Sequence, residues 1–129
     1  MDIEIANKFN NITKRLIRTL RNTNIPANIE DIFKHVNTLM ETKYNELILL
    51  FIEHIYNNVK FKTAILKNDV KYFLNSKNIS KDKTVIQFIK SIRIVYIKSK
   101  ICDRKNIFIY LKILLKYSEK YKLQMVEDE

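Results

Sequence analysis

Two histidines, His35 and His54, are the side chains best suited to moving a proton near neutral pH. They stand 19 positions apart, with no cysteine pair near either. Zinc sites gather three or four His or Cys ligands at short spacings, so these two read as surface or boundary residues of a helix. Glu46 and Glu53 are seven apart, on similar faces of one helix. Carboxylates that share acid–base work converge from opposite sides of a bond, so this pair reads as solvated salt partners. Cys102 is the sole cysteine, with Lys98 four residues before it and no histidine at helical spacing. A buried or half-buried, inert thiol is expected there. One cysteine excludes an internal disulfide and fits an intracellular, reducing compartment. Glycine is absent, which disfavours phosphate-cradling loops and nucleophile elbows. The residues predict a non-enzymatic protein with no cofactor, no metal and no small-molecule substrate.

What remains is charge. The 129 residues hold 24 Lys and Arg against 14 Asp and Glu, a net charge of +10. Such a balance favours acidic partners, nucleic acid among them. Ile, Lys and Asn number 21, 19 and 14, while Gly is missing and Pro26 is the only proline. All three abundant residues have codons rich in A and T, the mark of an AT-rich genome such as that of a virus, a protozoan or a microsporidian. Lys outnumbers Arg 19 to 5, so part of the charge is compositional and its placement matters more than its total. Residues 23–61 carry −2, residues 62–79 carry +3 and residues 80–101 carry +5.

The elements that would position these charges are helices. Hydrophobic content of 47% suffices for a core, and long apolar stripes with few breakers predict an all-α chain forming one domain. Ile5, Phe9, Ile12, Leu16 and Leu20 step by four or three and define a helix from about Asp2 to Arg21. Pro26 pushes Ile25 out of the helical region, and Asn28 is a candidate N-cap. Ile29, Phe33, Val36, Met40, Tyr44, Leu47, Phe51, Ile55 and Val59 then form an unbroken stripe. It predicts one long helix from Asn28 to about Lys60, spanning ~48 Å; a break near Glu41–Lys43 would give two. Its centre, Leu47 to Ile52, is apolar on every side and needs cover from this chain or from a partner. That apolar run is far short of the ~20 residues that span a bilayer, and the start "MDIEIANKF" lacks the apolar block of a secretory signal. Ser80 is a candidate cap for a helix with Val85, Phe88, Ile89, Ile92, Val95 and Tyr96 inward. Asp103 is a candidate cap for a last helix to about Leu123, with Ile107, Tyr110, Leu111, Leu114 and Tyr121 inward. "MVEDE" reads as a frayed acidic end.

Between the long helix and Ser80 lies "VKFKTAILKNDVKYFLNSKN". If the helix stops near Phe61, "KTAIL" is an extended strap and "NDVKYFL" opens a short helix. This order, with Lys62, Thr63, Ile65, Asp69, Val70, Phe73 and Leu74 at these spacings, resembles the second loop and third helix of the histone fold. Asp69 to Leu74 is similar to the "DV–Y–L" run of core histones and the "DVK" run of centromeric histone-fold proteins. Asn68 would cap in place of Leu66, where the family has Ser, Thr or Asn. The resemblance covers residues 2–78 and implies a long central helix flanked by shorter ones, with residues 79–125 as a C-terminal helical extension. The bundle alternative has five or six helices.

The resemblance also implies a function. The chain would be a nuclear subunit that pairs with a protein partner as a homo- or heterodimer, in a DNA-associated complex. Leu47, Ile48, Leu50, Phe51 and Ile55 would form the interface. Arg18 and Arg21 beside the first loop, and Lys60, Lys62 and Thr63 beside the second, would contact DNA phosphates, and Lys90, Arg93, Lys98 and Lys100 would add a basic face. The competing reading is a small helical protein–protein interaction module, such as a virion or accessory protein of an AT-rich virus or parasite.

Overall fold

The computed structural model describes residues 2–127, and every regular element among them is helical. The elements are α1 (Asp2–Leu20), α2 (Ala27–Thr42), α3 (Glu46–Phe51) with a π-helical turn (Ile52–Tyr56) continuing it, α4 (Val59–Leu66), α5 (Val70–Asn75), α6 (Lys83–Lys98) and α7 (Ile101–Glu127). The all-α class expected from the stripes is what the chain forms. Met125–Glu127 continue α7 rather than fray, and Asp128 and Glu129 lie outside the described residues.

The rod expected from Asn28 to Lys60 is instead α2, α3, the π turn and the first residues of α4. At the first break the Thr42 hydroxyl bonds back to the Thr38 carbonyl at 2.9 Å, competing with the helical ladder. Lys43 then turns extended (φ −141°, ψ 103°). Asn10 of α1 donates its Nδ2 to the Tyr44 carbonyl at 2.8 Å, which ties the corner to the body. The second break follows the π turn, where Asn57 N–H reaches back to the Ile52 carbonyl at 2.9 Å. Asn58 then caps α4 by accepting from Phe61 N–H at 3.2 Å. The first falls at Glu41–Lys43, where the sequence allows a break; the second is hidden because the apolar spacing runs across it. Their mark is exposure: Tyr44 and Val59, the two stripe members at the breaks, are 42% and 65% exposed.

The expected strap is also helical, since Ile65 lies within α4. The stop comes later, at Lys67–Asn68. Asn68 takes a left-handed conformation (φ 57°), the place glycine usually fills, and Asn is the next most tolerant residue. Asp69 N–H bonds to the Ala64 carbonyl at 2.8 Å and Asn68 N–H to the Ile65 carbonyl at 3.2 Å. This double bond pattern closes the helix end. Asp69 opens α5 as expected, accepting Tyr72 N–H at 3.1 Å.

Asp103, expected as a cap, lies inside α7, which starts at Ile101, and two other caps move by two residues. Pro26, not Asn28, precedes α2, where its missing N–H costs nothing, and its carbonyl accepts from both Ile29 and Glu30 at 3.1 Å. Asp82, not Ser80, caps α6, while Ser80 Oγ accepts Asp82 N–H at 2.9 Å.

One buried cluster draws on every helix, so α6 and α7 share the core of the earlier helices rather than extend from it. The most extensive packing is α1 along α7, and α2 packs on α6. At its far side Phe73 stacks on Phe61 at 5.4 Å and meets Phe108 edge-on at 5.2 Å. Four buried hydroxyls are satisfied locally: Thr13, Ser91, Ser99 and Ser118 each donate to the carbonyl four residues earlier, at 2.7–3.0 Å.

Candidate nucleic-acid interface

The helices sort the charge. Residues 59–100, which contain α4, α5 and α6, hold eleven cations and two acids, a net +9. The other residues hold thirteen cations and twelve acids, a net +1. Both acids of the basic segment are engaged with backbone. Asp69 Oδ1 accepts Tyr72 N–H, and Asp82 Oδ1 accepts Val85 N–H at 2.9 Å. Among the described residues the two ion pairs, Glu4–Lys8 and Arg21–Glu30, and the Glu53–His54 contact all lie outside the segment.

Two open grooves mark it. One, of about 370 Å³, runs between the 76–82 loop and α6; Lys77, Lys90 and Arg93 line it, with Ser76 and Ser80 and a floor that includes Ile86 and Ile89. The other, of about 310 Å³, lies along α4 and the start of α5; Lys60, Thr63 and Lys67 line it, with Val59, Ala64, Asp69 and Tyr72.

The phosphate contacts expected from the sequence divide accordingly. Lys60 and Thr63 share one groove, and Lys90 and Arg93 share the other. Lys98 and Lys100 are exposed near the α6–α7 junction, and Arg18 is exposed in the last turn of α1. Lys62 turns away to the Tyr56 ring, 4.2 Å from its centroid, which Lys122 also approaches at 5.4 Å. Burial, with Glu119 adding to it, raises the Tyr56 phenol above its ordinary pKa. Arg21 is held as a staple: Nη2 and Nε donate to the Glu30 carboxylate at 2.6 and 3.1 Å. This fork holds Glu30 below the usual carboxylate range.

Arg93 has a double role. Its Nε donates to the Phe73 carbonyl and its Nη2 to Ser76 Oγ, both at 2.8 Å, so it satisfies the end of α5 while facing the groove. Burial lowers its pKa from the ordinary arginine value. Arg104 acts likewise at the end of α6, donating to the Tyr96 and Ile97 carbonyls at 3.0 and 2.7 Å.

Sequence reasoning missed Lys67 and Lys77. Lys67 follows Lys60 by seven residues, a helical repeat that was legible; Lys77 sits in a loop, where no periodicity points to it.

The expected dimer surface is inside the fold. Leu47, Ile48, Phe51 and Ile55 are buried and Leu50 is half-buried, because α1 and α7 of the same chain supply the cover. Phe9 of α1 meets Phe51 edge-on at 5.3 Å. Cys102 is exposed, a correction with a simple cause: it lies in the first turn of α7, whose buried side starts only at Ile107. His35 is exposed, and His54 Nε2 lies 3.8 Å from Glu53 Oε2. Among the described residues no His, Cys, Asp and Glu group could hold a metal ion, and no helix is long and apolar enough to cross a membrane.

No protein-family model matches the chain, and searches of curated proteins and of solved structures find no match either.

Proposed function

We propose that the protein is a non-enzymatic helical module that holds nucleic acid by its phosphate backbone, through residues 59–100. The observation that carries this reading is the charge segregation. An AT-rich codon bias raises lysine along the whole chain. It does not remove acids from one third of it, nor turn the two that remain onto helix caps. None of these eleven cations forms an ion pair among the described residues; they repel one another, and a polyphosphate relieves that repulsion while releasing its own counterions. Lys60 and Lys67 in one groove, and Lys77, Lys90 and Arg93 in the other, are the contacts.

This reading keeps the backbone contact expected from the histone-fold resemblance. It omits the histone-type dimer, whose crossing point would need Leu47, Ile48, Phe51 and Ile55 on the surface. Binding of a labelled oligonucleotide across a salt series tests it. Affinity is expected to fall linearly with salt on logarithmic axes, with a slope of roughly −3 to −5 for four or five phosphates neutralised. No binding at low salt would overturn it.

A further inference from the structure

The α4–α5 groove differs from the α6 groove in one respect: it has an aromatic ring at the surface. Residues 59–100 contain five aromatics. Phe61, Phe73, Phe88 and Tyr96 are buried, whereas Tyr72 is 37% exposed. Tyr72 lines the groove with Val59, itself 65% exposed, facing the same space. No ring contact or cation contact engages Tyr72 among the described residues. This contrasts with Tyr56, whose ring is already occupied by two lysines. Lys60, Lys67 and the Thr63 hydroxyl complete the lining. Asp69, the one acid there, is committed to its cap on Tyr72 N–H.

We infer that this groove is a single-strand site, in which an unpaired base stacks on Tyr72 and packs against Val59 while Lys60 and Lys67 hold the flanking phosphates. This rests on the backbone-binding reading above. In a duplex both faces of each base are already stacked, so a surface ring gains nothing from it. In a single strand every base offers a free face, and a ring beside lysines is the combination that such binding uses. The α6 groove has an aliphatic floor and no ring, so it contributes charge without telling the two forms apart.

Fluorescence anisotropy at low salt, with a labelled single strand of about 12 nucleotides and the duplex of the same sequence, tests this on the whole chain. Tyr72→Ala is expected to weaken single-strand binding roughly tenfold and leave duplex binding unchanged. Tyr72→Phe keeps the ring and should bind like the parent. Circular dichroism confirms that helix content is retained, since the ring is not part of the core. Equal loss for both forms, or no loss for either, overturns the single-strand site while the backbone reading stands. Displacement by polyglutamate of matched charge as readily as by the unlabelled strand also overturns the site. Failure of the parent protein to bind either form removes the backbone reading and the site with it.

Discussion

The basic segment and the remainder of the chain are built from the same kinds of residue and differ in what their charges do. Outside residues 59–100, twelve acids stand among thirteen cations, and Arg21 is forked onto Glu30. Inside, eleven cations face two acids that are both occupied with backbone amides. The acid-balanced part contains α1, α2, α3 and α7, including the extensive α1–α7 packing. The basic part contains the short helices α4 and α5, closed by asparagine and aspartate caps and held through Arg93. Folding accounts for the first pattern. It offers no reason for the second, since unrelieved like charge opposes compaction. On the proposed reading, that difference puts nucleic-acid binding in the basic part.

The largest effect is expected where the two regions meet. Phe73 belongs to α5 yet packs on Phe108 of α7 at 5.2 Å and on Phe61 at 5.4 Å. Phe73→Ala should cost about 3–5 kcal/mol by leaving a cavity, seen as a fall in the urea midpoint. If the regions share one core, far-UV and near-UV signals shift together. Separate transitions would mean that α4–α6 can melt while α1 and α7 stay packed, and the comparison would then be between two foldons rather than two charge environments.

A charge-swap experiment addresses the comparison directly. Replacing Lys60, Lys67, Lys77 and Lys90 with Gln should reduce the salt slope of oligonucleotide binding by about 3–4. The same number of substitutions at Lys14, Lys34, Lys105 and Lys116, exposed lysines of the balanced part, should leave the slope nearly unchanged. Equal effects from both sets would show that total charge matters and its placement does not.

How these regions read from the sequence differs as well. The inward faces of α1, α6 and α7 were legible because each is one uninterrupted helix, and periodicity is a property of uninterrupted helices. Val85, Phe88, Ile89, Ile92, Val95 and Tyr96 are all buried. From α2 to α5 the same signal misled. Met40, Tyr44 and Leu47 keep helical spacing across a corner that a hydrogen bond from Asn10, 34 residues earlier, helps to hold. No local pattern records a contact so distant. In a chain without glycine, asparagine takes over at helix ends, as at Asn68, and an abundant residue makes a poor stop signal. The charge map was legible in part: the switch to basic character was visible, but the engagement of Asp69 and Asp82 as caps needed the structure.

Arg93 shows how the basic part is held. Arg93→Ala would leave the Phe73 carbonyl and Ser76 without their donor. A loss of about 1–3 kcal/mol is expected for such charge-assisted bonds. Arg93→Lys should recover little of it, because one ammonium cannot reproduce the fork over the Phe61 and Phe73 rings. Thermal melts of both variants check this; full rescue by lysine would show that only the charge is needed.

The smallest effect belongs to the staple of the balanced part, and it is separable by pH. The Arg21 fork, aided by the nearby Lys34 charge, keeps Glu30 below the ordinary carboxylate pKa against a partly opposing desolvation. A carboxylate with a depressed folded pKa binds its proton more readily when unfolded. Its stabilising contribution is therefore complete above the unfolded pKa and disappears as pH falls through the folded one. Arg21 and Glu30 are both partly exposed, so the pair should contribute no more than ~1 kcal/mol at neutral pH. Glu30→Gln should lower the urea midpoint slightly at pH 7 and leave it unchanged at a pH below both values.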